Sequence, residues 1–304
     1  MSSSPTSRKN GVSITSGSVS GRSKPTRVCF DEVVSSCWAN ELSLADAIDL
    51  APEWGYDGVE GPADPAVAER LKESGLPYIA EIATGGGYVP KPHLSVQDHL
   101  DDLEKKLEQL TTFDPLFVNV LGGSDRWTMP ECTSFYIRAQ GMAMRCGQEL
   151  VWETHRSRPT ATPWQTWALL KELPDMQLNC DFSHWCVVCE RFIMNEEPEL
   201  LSLCIERARH VHLRVGYDQG PQIADPKESK ALEAHLSWWR KLRVTTATPE
   251  FGPDGYAPPG QDLRAINRWM AHTFRQQFAD HESADETQTY ATVRRCDHHQ
   301  PIEH

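Results

Sequence analysis

The feature that most restricts what this chain can fold into is an alternation repeated eight times. From residue 27 onward, short apolar runs of strand length are separated by longer segments whose apolar residues recur at helical spacing. The runs are 27–34, 57–61, 77–84, 116–123, 149–155, 177–182, 210–216 and 244–252. Strands joined by helical crossovers pair in parallel, because each crossover returns the chain to the same end of the sheet. Eight such pairs in about 250 residues match a (β/α)8 barrel better than an open doubly wound sheet with fewer strands. The expected fold class is therefore α/β, a single TIM barrel over 27–279, with a disordered tail over 1–26 and a C-terminal tail or arm over 280–304.

The segments between the runs carry helix signals. Leu44, Ile48, Ala51 and Trp54 recur at helical spacing before Gly55, and Asp64 with Pro65 offers a cap and first-turn pair for a helix ending at Gly75. Ser95 with Asp98 resembles a capping box ahead of Leu100, Leu103, Leu107 and Leu110. The segments 131–146, 163–173, 196–207, 229–242 and 261–278 complete eight expected helices.

Composition narrows the partners. Lys and Arg number 30 against 43 Asp and Glu, a net charge of −13 over 304 residues, which repels phosphate backbones and anionic lipid. Nucleic acid and membrane surfaces are excluded as expected partners, and a small-molecule substrate is retained. No run approaches the roughly 18 apolar residues of a membrane helix. The first 27 residues are Ser-rich and basic without an apolar core, so no secretory signal is read there, while their lack of acids keeps a transit peptide open. Nine cysteines, an odd number set in apolar segments, suit a reducing compartment, and a cytoplasmic location is expected. The one CxxC, Cys186 to Cys189, lacks a second pair to complete a four-ligand zinc site, although His184 is near. Gly85, Gly86 and Gly87 follow a strand without the later glycine of a dinucleotide fingerprint.

Barrel enzymes carry their reactive groups at the C-terminal ends of the strands. Four adjacent ends here are unusually polar: Trp152-Glu153-Thr154-His155-Arg156, Asp181-Phe182-Ser183-His184-Trp185, His210-Val211-His212-Leu213-Arg214 and Thr248-Pro249-Glu250-Phe251-Gly252. Glu153, Asp181 and Glu250 converging on one mouth cannot all stay ionised without a cation. With one imidazole added, the set is hard and oxygen-dominated, which suits Mn²⁺ or Mg²⁺, with Co²⁺ or Zn²⁺ as alternatives. The competing reading is four unrelated strand-end ion pairs.

These residues resemble the xylose-isomerase-like TIM barrels, a family of sugar-phosphate isomerases and epimerases, ketose 3-epimerases, inosose dehydratases and the endonuclease IV group. The resemblance spans most of 27–278. It implies that Glu153, the Asp181 of a D-x-x-H motif, the second histidine of H-x-H (His212) and Glu250 hold the metal, and that His184 of the same D-x-x-H motif touches substrate. It further implies proton abstraction beside a carbonyl through a metal-bound enediolate, with Glu153 and Glu250 as the base and acid pair and His184 as a catalytic helper. The ketose epimerases carry an Arg six residues after the metal histidine, whereas that position here is Asp218 and the nearest guanidinium is Arg214. The expected function is thus a metal-dependent isomerase or epimerase of a sugar-like, acidic or phosphorylated carbonyl compound. A dehydratase of the same family and a non-catalytic metal-binding barrel are the alternatives. The endonuclease branch needs further ligands and a basic mouth, which the net charge disfavours.

Other residues fill out the expected site. Arg156, Arg158 and Arg214 cluster at the same strand ends and either bind a substrate anion or balance local acids. Glu81 is an acid or base candidate, or one member of a buried ion pair. His155 and His210 read as groups that support the ligands from behind or as structural, since Glu153 and His212 take the inward positions. Trp185, Trp127 and Tyr217 either wall the pocket or pack. Trp238-Trp239 is core or oligomer surface, and a homo-oligomer is compatible with the sequence.

Overall fold

The computed structural model describes residues 32–279, apart from 228, 243 and 254–259. The tails expected over 1–26 and 280–304 lie outside these residues. Eight parallel strands close into a barrel in sequence order: β1 (Glu32–Ser36), β2 (Gly58–Gly61), β3 (Tyr78–Ala83), β4 (Val118–Leu121), β5 (Leu150–Glu153), β6 (Gln177–Asn179), β7 (Ala208–Leu213) and β8 (Thr246–Pro249). The seam is the β1 to β8 pairing, with Glu32 opposite Thr246 and Val33 opposite Ala247.

Helices α1 (Leu44–Glu53), α2 (Ala68–Ser74), α3 (Val96–Glu108), α4 (Met129–Arg145), α5 (Pro163–Glu172), α6 (Phe182–Cys189), α7 (Pro198–Arg207), α8 (Lys230–Trp239) and α9 (Leu263–Ala279) follow in turn. The capping signals work as expected: Ser95 and Asp98 form a capping box at α3, and Gly75 ends α2 in the left-handed conformation. One element departs from the sequence reading. The sixth strand stops at Asn179, and Phe182–Cys189 turns into α6, so Asp181 caps a helix and the CxxC lies on that helix. The seven described cysteines are free thiols. Among the described residues, no helix is long and apolar enough to cross a membrane.

Side chains alternate in and out along each strand, and this parity builds the site. Outward residues and the helix faces form one large core that includes Trp238 and Trp239, both fully buried, which settles them as core. Inside the barrel, Val34, Ile79, Phe117 and Val151 form a separate apolar plug. Two residues further along the same strands the interior becomes polar: Glu81 follows Ile79, Asn119 follows Phe117 and Glu153 follows Val151. His210 rests against Phe117, with ring centroids 5.4 Å apart. His212 on β7 and Arg214 just past its end continue that inward row, as do Thr248 on β8 and Glu250 just past its end.

Candidate metal centre

Glu153, Asp181, His212 and Glu250 each offer a ligand atom, and these four atoms lie within 4.8 Å of one another, all buried. Asp181 owes its position to α6. Its Oδ1 accepts from the Ser183 backbone N–H at 2.9 Å and the Ser183 hydroxyl at 2.5 Å, capping the helix. Its Oδ2 is left buried with no hydrogen bond, 3.4 Å from His184 Nε2. His212 Nδ1 lies 3.1 Å from Glu250 and 3.7 Å from Glu153, yet makes no hydrogen bond of proper direction, so its lone-pair position faces between the carboxylates. An orphaned carboxylate oxygen and an orphaned imidazole nitrogen facing one point fit a hard divalent cation.

The charge balance agrees. Burial, with Glu250 adding to it, raises the Asp181 carboxyl to about 7, and burial also raises Glu153. Burial opposes charge on His212, but Glu250, Glu60 and Glu153 together lift it well above the usual histidine range. More negative charge is packed here than one imidazolium offsets, and a divalent ion supplies the deficit.

Glu153 and Glu250 also form the wall of a pocket, with Trp38, Tyr88, Leu121, His155 and Arg214. Trp38 and Tyr88 make a tilted aromatic pair with centroids 5.6 Å apart. Arg214, 3% exposed, sits 5.3 Å above the Trp38 ring and 3.9 Å from Glu250. Glu81 lies at the same mouth, hydrogen-bonded by Tyr88, and burial together with Glu60 and Glu250 raises it to about 8.

The remaining expected residues separate. His184 is buried beside Asp181, its ring against His155 at 4.0 Å between centroids. His155, read as supporting or structural, instead lines the pocket: two residues after Glu153, it shares that residue's inward parity, so the alternation places it inside rather than excluding it. Its Nδ1 meets the Arg156 carbonyl at 2.6 Å, and burial lowers it to about 3, so it is neutral. Arg156 is half-buried at the rim and donates to Gln222, which in turn donates to the Ser183 hydroxyl at 2.7 Å. Arg158 does not join the anion-binding cluster: fully buried, it donates to the carbonyls of Thr84, Gly123, Gly87 and Tyr88. Trp185 is core, fully buried, with its indole N–H on the Thr160 carbonyl at 2.8 Å, so its ring presents no face to the pocket. Trp127 packs edge-on against His99 and Phe135, and Tyr217 is exposed.

Sequence reasoning passed over Glu60, Trp38 and Tyr88. Glu60 was visible only as the acid inside the short run DGVEG, three residues after Asp57, and its inward position on β2 matches Glu153 on β5.

Solved structures place this architecture in a class. The chain shares its fold with xylose isomerase-like TIM barrel proteins; one from Mycobacterium smegmatis in complex with magnesium is 13% identical, with a TM-score of 0.53, covering 81% of this chain and 97% of that one. L-ribulose 3-epimerase is 13% identical with a TM-score of 0.61, covering 86% of this chain and 99% of its own. The probable 3-DHS dehydratase AsbF, involved in petrobactin synthesis in Bacillus anthracis, is 14% identical with a TM-score of 0.57, covering 80% and 98%. No protein-family model matches the sequence, and no curated protein matches it.

Proposed function

We propose that this chain is a divalent-metal-dependent isomerase or epimerase acting on a small sugar-like carbonyl compound that carries an acidic or phosphate group. The observation that carries the reading is the convergence of Glu153, Asp181, His212 and Glu250, with two orphaned ligand atoms, at the wall of a pocket that also contains Arg214. These four residues would hold Mn²⁺ or Mg²⁺, with Co²⁺ or Zn²⁺ as alternatives. When bound, the ion supplies a Lewis acid that polarises a carbonyl and acidifies the neighbouring C–H.

The chain's own groups do the rest. Glu153 and Glu250 both face the pocket, so one removes the carbon-bound proton and the other delivers a proton to the opposite face. His184, beside Asp181 and with its Nδ1 unpartnered, serves a substrate hydroxyl. Arg214 takes the anionic group, and the Trp38 and Tyr88 rings exclude water from one side. A cytoplasmic location, a small-molecule substrate, and no nucleic-acid or membrane partner belong to the same reading, which the free thiols and net charge support.

The test is elemental analysis of the protein beside an Asp181→Ala/His212→Ala variant, followed by solvent deuterium uptake into keto sugars and their acidic analogues. One near-stoichiometric divalent metal, lost in the variant, with uptake by the intact protein, is the expected result. Glu153→Gln is expected to abolish turnover while substrate still binds; near-normal turnover in that variant removes the assigned base. Loss of water from the substrate during uptake identifies a dehydratase, because the same abstraction eliminates a β-hydroxyl when one is present.

A further inference from the structure

Glu60 stands outside the four candidate ligands, on β2, and is 1% exposed. Its Oε1 accepts from His212 Nε2 at 3.1 Å and from Asn119 Nδ2 at 3.0 Å. Its Oε2 accepts from the Thr248 hydroxyl at 2.5 Å and lies 3.5 Å from His210 Nε2. The same Asn119 nitrogen donates to Glu153 Oε2 at 3.1 Å. His210 is held in turn by the hydroxyls of Thr246 at 2.7 Å and Thr248 at 3.0 Å.

The donor and acceptor inventory makes this network directional. An ionised carboxylate only accepts, so the His212 nitrogen facing Glu60 must carry the hydrogen. In the neutral ring that a metal ligand must be, the lone pair then belongs to Nδ1, the atom facing Glu153 and Glu250. The Asn119 amide nitrogen has two hydrogens, one for Glu60 and one for Glu153, which orients its carbonyl away from both. Glu60, His210 and His212 also lie close enough to hold an ion of their own. Both His210 nitrogens, however, are engaged by threonine hydroxyls, and the trio reads as a hydrogen-bond network.

We propose that Glu60 is the positioning residue of the metal centre, fixing His212 Nδ1 as the ligating atom and, through Asn119, the orientation of Glu153. One carboxylate on β2 thereby sets two of the four ligands, on β5 and β7. The inference rests on the metal reading above. Outer carboxylates of this kind change metal affinity by about 10- to 100-fold when removed.

The test is titration of the metal-free protein with MnCl2 by calorimetry and with CoCl2 by visible absorption. Glu60→Gln keeps the shape and one acceptor but supplies a donor where none belongs. It is expected to weaken Mn²⁺ binding about 10- to 100-fold and to alter the Co²⁺ absorption band, with the circular dichroism unchanged. Thr248→Val removes a donor to Glu60 together with the hydroxyl's contact to His210, leaves the Glu60 carboxylate in place, and is expected to weaken binding in the same direction by less. Wild-type affinity and an unaltered Co²⁺ band in Glu60→Gln overturn the proposal. If Glu60→Gln does not fold, unchanged Mn²⁺ affinity in Thr248→Val overturns it instead. A wild-type protein that binds neither ion overturns the metal reading itself and this inference with it, which separates the two failures.

Discussion

Glu81 is the residue whose protonation is most exposed to test. Its carboxyl is raised to about 8 from an ordinary 4.5 by burial, with Glu60 and Glu250 adding to the effect. Between those two values the folded chain keeps a proton that the unfolded chain releases, so stability falls as pH rises. Five buried histidines act oppositely but finish earlier: His155 at about 3, His99 and His235 at about 4, and His184 and His210, which burial also lowers, oppose folding only below the ordinary histidine value of 6.5. The metal-free protein is therefore expected to melt at progressively lower temperature from pH 7 to about 8, and Glu81→Gln to show a shallower decline; an identical slope in the variant removes Glu81 as its source. Legibility at this scale followed distance along the chain. Glu153, Asp181, His212 and Glu250 could be read because each stands at a strand end inside a short polar motif. Glu60 could not, because what defines it is a contact with a histidine far away in sequence. Trp185 misled because adjacency to His184 along a helix sends neighbouring side chains in different directions.

At the scale of elements, the eight strands and most helices were legible because parallel barrel strands are apolar runs and their covering helices are amphipathic. The miss was α6. Its sequence, FSHWCVVC, is apolar nearly all round because its first half is buried on every side, so it carries no helical stripe and extends the preceding strand by eye. Asp181 links that helix to the metal centre, and the two roles separate by mutation. Asp181→Asn retains an acceptor for the Ser183 donors, so metal binding is expected to be lost while the melting temperature of the metal-free protein stays equal or rises; a large drop in that temperature contradicts the assignment. Arg158 acts between elements, bonding carbonyls from the loop after β3 and the loop after β4. Each buried carbonyl left unpaired costs about 1–3 kcal/mol. Arg158→Met is therefore expected to lower unfolding free energy in urea by at least about 3 kcal/mol, with faster amide exchange over 84–88.

For the molecule as a whole, the metal centre couples binding to folding. An ion held at a hundred times its dissociation constant stabilises the folded state by about 2.7 kcal/mol, which for a domain of this size corresponds to about 5–10 °C in Tm. Chelation is expected to lower Tm by that amount, and restoring Mn²⁺ or Mg²⁺ to recover it; a Tm indifferent to chelator contradicts a resident ion. The whole fold was legible because closure needs only strand count and order, whereas the pocket roof of Trp38 and Tyr88 comes from loops whose path no periodicity encodes. The ligand set draws on β5, β7, β8 and the residue that caps α6, and its support on β2, with Glu250 lying beyond the last strand. A ribosome must therefore finish nearly the entire barrel before the nascent chain can capture its ion. Metal uptake in the cell would then mark completed synthesis, and truncated products would be left without the ion and open to proteolysis.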